Sequence, residues 1–170
     1  MDGRRLVLGL AVVAVMAATA GAEEGEEPLR PCRRSDLLGH WQVIRFGIAS
    51  GARVDRADPA YHPYQRYVFH GNATMAYAAS ATPPSADDER AFSRAPGSVT
   101  WALEPGGRLR RHRDGASGGV ETSECRVVLR ALKDGRSPVL ALPGDVVLTD
   151  EDEAARPIAR RLLRKLPADE

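Results

Sequence analysis

Apolar and polar residues alternate in short runs along most of this chain, and turn-forming residues separate the runs. In the first run, HWQVIRFGI at 40–48, Trp41 and Val43 fall on one side while Ile44 and Phe46 fall on the other. A period of two residues is the pattern of a half-buried β-strand. The later runs of this kind are YQRYVFH, ATMAYAAS, SVTWALE, GRLRRHR, VETSECRVVLRAL, SPVLAL and DVVLTD. Short strands at this spacing predict an all-β fold, an antiparallel up-and-down barrel of about eight strands.

One long connection interrupts this rhythm. Residues 81–97 are rich in proline, alanine and charge, with room for one helical turn near 87–92. Loops of this length usually carry function or move. We expect this connection and the turn-rich loop at 50–63 to form the rim of the barrel.

The last segment, 150–166, fits two interpretations. Ile158, Leu162 and Leu166 follow at four-residue steps, as on one face of a helix. Pro157, however, would cost a helix interior about 3 kcal/mol because it removes a hydrogen-bond donor. A turn followed by a final strand over 158–165 is therefore the preferred prediction.

The N-terminus resembles an export signal. Arg4 and Arg5 precede an apolar run at 6–18, and small residues at 18–20 and 20–22 provide two cleavage sites. The run is shorter than the roughly 20 apolar residues that a membrane span requires. Cleavage is therefore expected, with no membrane span afterwards, and the mature protein should be periplasmic or secreted.

This prediction divides the chain into three parts. They are a signal peptide at 1–22, an N-terminal arm at 23–35 and a barrel domain at 36–167. The 24 basic and 23 acidic residues nearly cancel. Such a balanced chain has no field that would attract nucleic acid, so nucleic-acid binding is not expected.

The chain has two cysteines, Cys32 and Cys125. In an exported protein an even pair most simply forms one disulfide, which here would tie the arm to a late strand. A catalytic thiol or a metal pair is disfavoured because the spacing is not CxxC and no histidine is adjacent.

The sequence contains no recognisable catalytic constellation. It lacks GxSxG and HExxH, and the four histidines, His40, His62, His70 and His112, lack the spacing of convergent ligands. We therefore predict no catalytic residues, no metal site and no cofactor, and we expect a protein that binds rather than reacts.

Gly39-His40-Trp41 on the first strand, followed by a β meander and an arginine-rich last segment, resembles the lipocalin-like or calycin superfamily, in particular its small exported bacterial members. The resemblance implies an eight-stranded barrel in which Gly39 and Trp41 close one end. It also implies that an arginine of the last strand, Arg161 or Arg164, stacks on the indole ring.

Aromatic and soft side chains concentrate around one predicted hairpin. The residues expected to line a ligand cavity are Tyr64, Tyr67, Phe69, Met75, Tyr77, Trp101 and Arg110. The same aromatic residues could instead fill a solid core, and the arginines of RLRRHR could instead protect a strand edge.

Two functions remain open on these grounds. The first is an exported binding protein that holds a small hydrophobic or amphipathic ligand inside the barrel. The alternative is an interaction or accessory module with a solid barrel, which meets a protein partner through the arginine-rich strand or the N-terminal arm.

Overall fold

The computed structural model describes residues 27–113, 119–133, 135 and 138–167. The predicted signal peptide and the first residues of the arm lie outside this part of the chain. The strands are β1 (Leu29–Pro31), β2 (Gly39–Ile48), β3 (Tyr64–Phe69), β4 (Thr74–Ser80), β5 (Val99–Glu104), β6 (Arg108–Arg113), β7 (Val120–Val128), β8 (Leu132–Lys133), β9 (Leu140–Ala141), β10 (Val146–Glu151) and β11 (Pro157–Lys165). The helices are α1 (Arg34–Leu37), α2 (Ala86–Ser93) and two 3₁₀ turns, η1 (Pro59–Tyr61) and η2 (Pro105–Gly107).

Eight strands close into one antiparallel barrel. The order is β2-β3-β4-β5-β6-β7-β10-β11, and β11 pairs with β2 to complete the cylinder. Each barrel strand therefore neighbours the previous one in sequence, apart from the β8–β9 hairpin inserted between β7 and β10. The predicted all-β, up-and-down barrel is confirmed, and so is the final strand, which begins at Pro157.

We call the end where β2 begins and β11 ends the base, and the opposite end the mouth. The half of the interior near the base is filled by apolar side chains. These include Leu37, Trp41, Phe69, Trp101, Leu109, Val146, Leu148 and Leu163, all 3% exposed or less. Ring contacts within this core include an edge-on packing of Phe69 against Trp101, with centroids 5.4 Å apart.

A β-bulge in β2 changes which residues face the interior. Leu163 pairs with Val43 and Leu162 with Arg45, so Ile44 is an extra residue on its strand. Strict alternation placed Phe46 on the side opposite Trp41. The bulge shifts the register by one residue, so Phe46 packs against the same core as Trp41.

The N-terminal arm closes the base. Strand β1 pairs with the end of β7, and the predicted disulfide between Cys32 and Cys125 follows directly. Helix α1 then places Leu37 fully inside the base, where its carbonyl accepts a 2.6 Å hydrogen bond from the Trp41 indole.

The two long loops lie in different places. The 50–63 loop carries η1 and reaches the mouth, as expected. Helix α2, within 81–97, instead packs on the outer wall, where Glu89 pairs with Arg66 of β3 and Phe92 contacts His40 of β2. The expectation that 81–97 forms the rim is therefore wrong, because these two contacts hold the helix against the barrel. None of the helices in the described residues is long and apolar enough to cross a membrane.

Candidate functional site

A cavity of about 470 Å³ extends into the barrel from the mouth, and we call it the mouth cavity. Its volume is within the range of sites that bind small organic molecules. The apolar and aromatic part of its wall includes Tyr61, Tyr67, Met75, Tyr77, Val99 and Ile158. Beside it, β4 and β5 are joined by only two residue pairs, the shortest pairing between neighbours in the described barrel. The cavity therefore lies where the barrel wall is least tightly closed.

Polar side chains border the inner end of this cavity. We call Gln65, Arg111, Ser123, Asp150 and Arg161 the inner polar cluster. The carboxylate of Asp150 accepts a 2.6 Å hydrogen bond from the Ser123 hydroxyl and a 2.9 Å hydrogen bond from Arg111. It also pairs with Arg161, so one carboxylate holds two guanidinium groups side by side.

The surroundings fix the protonation states of these groups. Burial opposes ionisation of Asp150, but the charges of Arg111 and Arg161 outweigh it and keep the pKa of this carboxyl below its usual range. Burial also opposes the charge of Arg111, yet Asp150, Tyr67 and Glu121 together outweigh it and raise the pKa of the guanidinium. Burial raises the pKa of the Tyr67 and Tyr77 hydroxyls. At neutral pH the site therefore presents two cations, one anion and two protonated phenols.

Arg161 and Gln65 fasten the 50–63 loop to the barrel. Arg161 donates a 2.9 Å hydrogen bond to the carbonyl of Ala60, and Gln65 donates a 2.6 Å hydrogen bond to that of His62. The two side chains also bond each other, and Arg161 lies over the Phe46 ring at 5.0 Å. The mouth loop is thus held by buried groups rather than by surface contacts.

Arg111 is not fully satisfied by the protein. Its side chain is 8% exposed, and one terminal nitrogen serves both Ser123 and Asp150. Its Nε atom is buried and has no hydrogen-bond partner within the described residues. Buried donors are almost always paired, so this N–H makes Arg111 an incompletely satisfied cation in the lining of the cavity.

The predicted ligand residues are divided between three places. Tyr67, Met75 and Tyr77 line the mouth cavity. Phe69 and Trp101 lie in the filled core near the base, where the Trp101 indole donates a 3.0 Å hydrogen bond to the Thr74 carbonyl. Tyr64 is 38% exposed at the start of its strand, and Arg110 pairs with Glu104 on the outer surface.

The residues expected to close the base are arranged differently from the resemblance. Gly39 adopts φ +110°, and a Cβ there would come within 2.9 Å of the Lys165 side chain. That lysine is the cation beside the Trp41 ring, with Nζ 5.6 Å from the ring centroid. Lys165 is the register partner of Trp41, which explains why it takes this place. Arg161 instead belongs to the inner polar cluster, and Arg164 pairs with Asp145 at 2.7 Å.

Arg111, Asp150 and Tyr61 are among the site residues that the sequence reasoning missed. A signal for the first two was present: each continues the inward face of a strand whose preceding members are apolar. Arg111 follows Leu109 two residues earlier, and Asp150 follows Leu148 in the same way. A charge at the end of an inward apolar series indicates a buried polar site.

A larger space of about 770 Å³ lies on the outer wall, between the barrel and the β8–β9 hairpin. It is lined by apolar residues such as Val147 and Leu162 and by the arginines Arg45, Arg126 and Arg160. No buried cluster of charges converges there among the residues that the structure describes. Within the described residues, no group of three histidine, cysteine, aspartate or glutamate side chains is placed to hold a metal ion.

Comparison of this chain with protein-family models, with curated proteins and with solved structures found no match. The closed eight-stranded antiparallel barrel is consistent with a calycin-like fold. The functional argument therefore depends on the geometry of the mouth cavity.

Proposed function

We propose that this protein is an exported, lipocalin-like binding protein that holds a small amphipathic ligand in the mouth cavity. The observation that carries this proposal is the cavity itself, which combines an aromatic wall with a buried, partly unsatisfied arginine. Binding sites typically join an apolar lining to a few convergent polar groups of perturbed pKa. The disulfide supports export, since such bonds persist in oxidising compartments.

The filled base limits the size of the ligand. Trp41, Leu37 and their neighbours fill the interior near the base. The ligand therefore enters only the half of the barrel nearest the mouth. This arrangement supports a compact molecule rather than a long hydrocarbon chain. The alternative of an interaction module with a solid barrel is less well supported, because the half nearest the mouth is not filled by side chains.

The larger space on the outer wall, beside the β8–β9 hairpin, is a weaker candidate for the ligand site than the mouth cavity. Two of the arginines that line it already have polar partners. Arg126 pairs with Glu124 at 2.5 Å, and Arg160 donates a hydrogen bond to Thr149. One of its sides is a hairpin of two-residue strands, which offers little rigid surface. The mouth cavity, in contrast, is built on barrel strands.

A fluorescence titration tests the proposal. N-phenyl-1-naphthylamine, which brightens in apolar surroundings, should bind the purified protein saturably at one site. Ile158→Trp, which narrows the cavity at β11, should weaken binding at least about tenfold, the effect of about 1.4 kcal/mol. Leu140→Trp adds the same ring on the exposed β9 and should leave binding unchanged. Absence of saturable binding, or equal effects of both variants, contradicts a ligand site in the mouth.

A further inference from the structure

The outer part of the mouth cavity is acidic. Its lining includes Asp58, Glu121, Asp152 and Glu153. Asp152 pairs with Arg156 at 2.7 Å, and Glu121 lies 3.5 Å from Arg111. Asp58 and Glu153 have no cationic partner among the described residues. Arg108 and Glu151, which also line the cavity, pair with each other at 3.0 Å, so the described side chains at the opening repel anions and attract cations.

The inner end of the same cavity has the opposite character. Arg111 and Arg161 face a single buried carboxylate, that of Asp150. Glu121 compensates Arg111 only in part, because its side chain is 47% exposed and its nearest distance is longer than a hydrogen bond. The buried Nε–H of Arg111 remains as an unpaired donor. A negatively charged group in the cavity suits these guanidinium groups best, because a charge-assisted hydrogen bond is stronger than a neutral one.

We propose that the ligand is a small zwitterion that places a carboxylate against Arg111 and a cationic amine at the rim near Asp58 and Glu153. The proposal deepens the proposed function and rests on it. The aromatic wall between the two poles, which includes Tyr67 and Tyr77 with ring centroids 4.9 Å apart, accommodates the apolar part of such a molecule.

The two poles together favour a zwitterion over singly charged ligands. A simple anion would satisfy Arg111 but would have to lie beside the acidic rim. A simple cation would match the rim but would approach two buried guanidinium groups. Only a molecule with separated opposite charges satisfies both ends, and the order of the charges follows from the cavity.

Displacement of N-phenyl-1-naphthylamine from the full mature chain measures this preference with defined probes. The zwitterions are 4-aminobutanoate, 6-aminohexanoate and 8-aminooctanoate, and each is compared with the alkanoate and the alkylamine of equal length. At least one zwitterion should bind about tenfold tighter than both of its singly charged analogues, since each satisfied pole contributes a charged contact.

The inner pole is tested by Arg111→Lys, which retains the positive charge but removes the guanidinium group that faces the carboxylate. Binding of the zwitterion and of the alkanoate should weaken about tenfold, while binding of the alkylamine should not weaken. Arg110→Lys, one residue earlier on the outer surface, is the matched control and should change none of the three.

The outer pole is tested by Glu153→Gln on the exposed turn before β11, where folding is not at risk. This variant should weaken the zwitterion and the alkylamine but tighten the alkanoate. Glu104→Gln on the outer wall should change none of them. Opposite signs for the alkanoate and the alkylamine would not arise from a general loss of structure.

The outcomes separate this inference from the proposed function. If the naphthylamine binds but every alkanoate or every alkylamine competes as well as its zwitterion, the cavity binds ligand and the zwitterion assignment is wrong. If the Glu153→Gln variant shifts all probes in the same direction, the rim does not select charge and the assignment also fails. If the naphthylamine itself does not bind, both proposals fall.

Discussion

At the scale of single residues, the costliest feature of the molecule is the inner polar cluster. Removing charged groups from water costs several kcal/mol per ion, which an ion pair recovers only when its geometry is good and its other atoms are bonded. Asp150 meets this condition through Ser123 and two arginines. A fully apolar interior would avoid this desolvation cost, so the presence of these charges in the mouth fits a binding role.

Asp150→Asn should destabilise the protein by about 3 to 5 kcal/mol at pH 7, because it leaves Arg111 and Arg161 without their shared anion. The lowered pKa of Asp150 means that its stabilisation is complete above the unfolded-state pKa of about 3.9 and is lost as pH falls through the lower folded-state value. The difference between wild type and variant should therefore shrink at acidic pH.

Urea unfolding at several pH values measures this difference. Glu151→Gln is the matched control, since the neighbouring carboxylate pairs with the half-exposed Arg108 on the surface and should cost less than about 1 kcal/mol. A variant at position 150 that is as stable as wild type at pH 7 would contradict the assigned role of the carboxylate.

Alternation in the sequence could predict which residues face inward, but it could not predict what they touch. It placed Arg111 on the same face as Leu109. The partners of Arg111 lie on β7 and β10, 12 and 39 residues away in sequence. Contacts between strands depend on register, which one sequence does not reveal.

At the scale of elements, an important junction is the η2 turn, where the N-terminal arm lies close to the barrel wall. Gly107 has φ +85°, and a Cβ at this position would lie 2.5 Å from the Cys125 carbonyl oxygen and 3.2 Å from the Cys32 amide nitrogen. Its neighbour Gly106 has φ +81° but open space around it. The two adjacent glycines thus share a backbone conformation and differ in steric surroundings.

Gly107→Ala should cost clearly more stability than Gly106→Ala. Gly106→Ala bears only the penalty of a left-handed backbone, about 1 to 2 kcal/mol. Gly107→Ala bears the same penalty and also a clash with the backbone of Cys125 and Cys32. Denaturant midpoints of the two variants provide the comparison. Equal midpoints would show that the arm does not pack tightly against this turn.

The elements themselves were largely predictable. Period-two alternation identified the barrel strands, and Pro157 correctly favoured a strand over a helix for the last segment. The bulge at Ile44 and the docking of α2 on the outer wall were not predictable. Both depend on contacts between distant segments, which local sequence does not encode.

At the scale of the whole molecule, the barrel is assembled mainly from sequence-local pairings. The exceptions are the closure of β2 against β11 and the docking of the arm against β7. The disulfide secures the second of these across a sequence separation of 93 residues. A bond over such a long loop strongly restricts the unfolded chain.

Reduction of the disulfide should lower the free energy of unfolding by about 4 to 5 kcal/mol, the chain-entropy value for a loop of this length. Urea unfolding with and without reductant measures the change. The double variant Cys32→Ala and Cys125→Ala should be equally destabilised and insensitive to reductant. An unfolding midpoint that does not respond to reductant in wild type would contradict this account.

The closure of the base has a geometric consequence for how the protein can be attached to anything else. The described chain enters through β1 beside the end of β7 and leaves after Lys165, both on the sealed side of the cylinder. A tether, fused domain or solid support joined directly to either end of the described chain would therefore start on the side opposite the opening. Such a linkage would leave the opening pointing outward, free to exchange its contents with the surrounding solution.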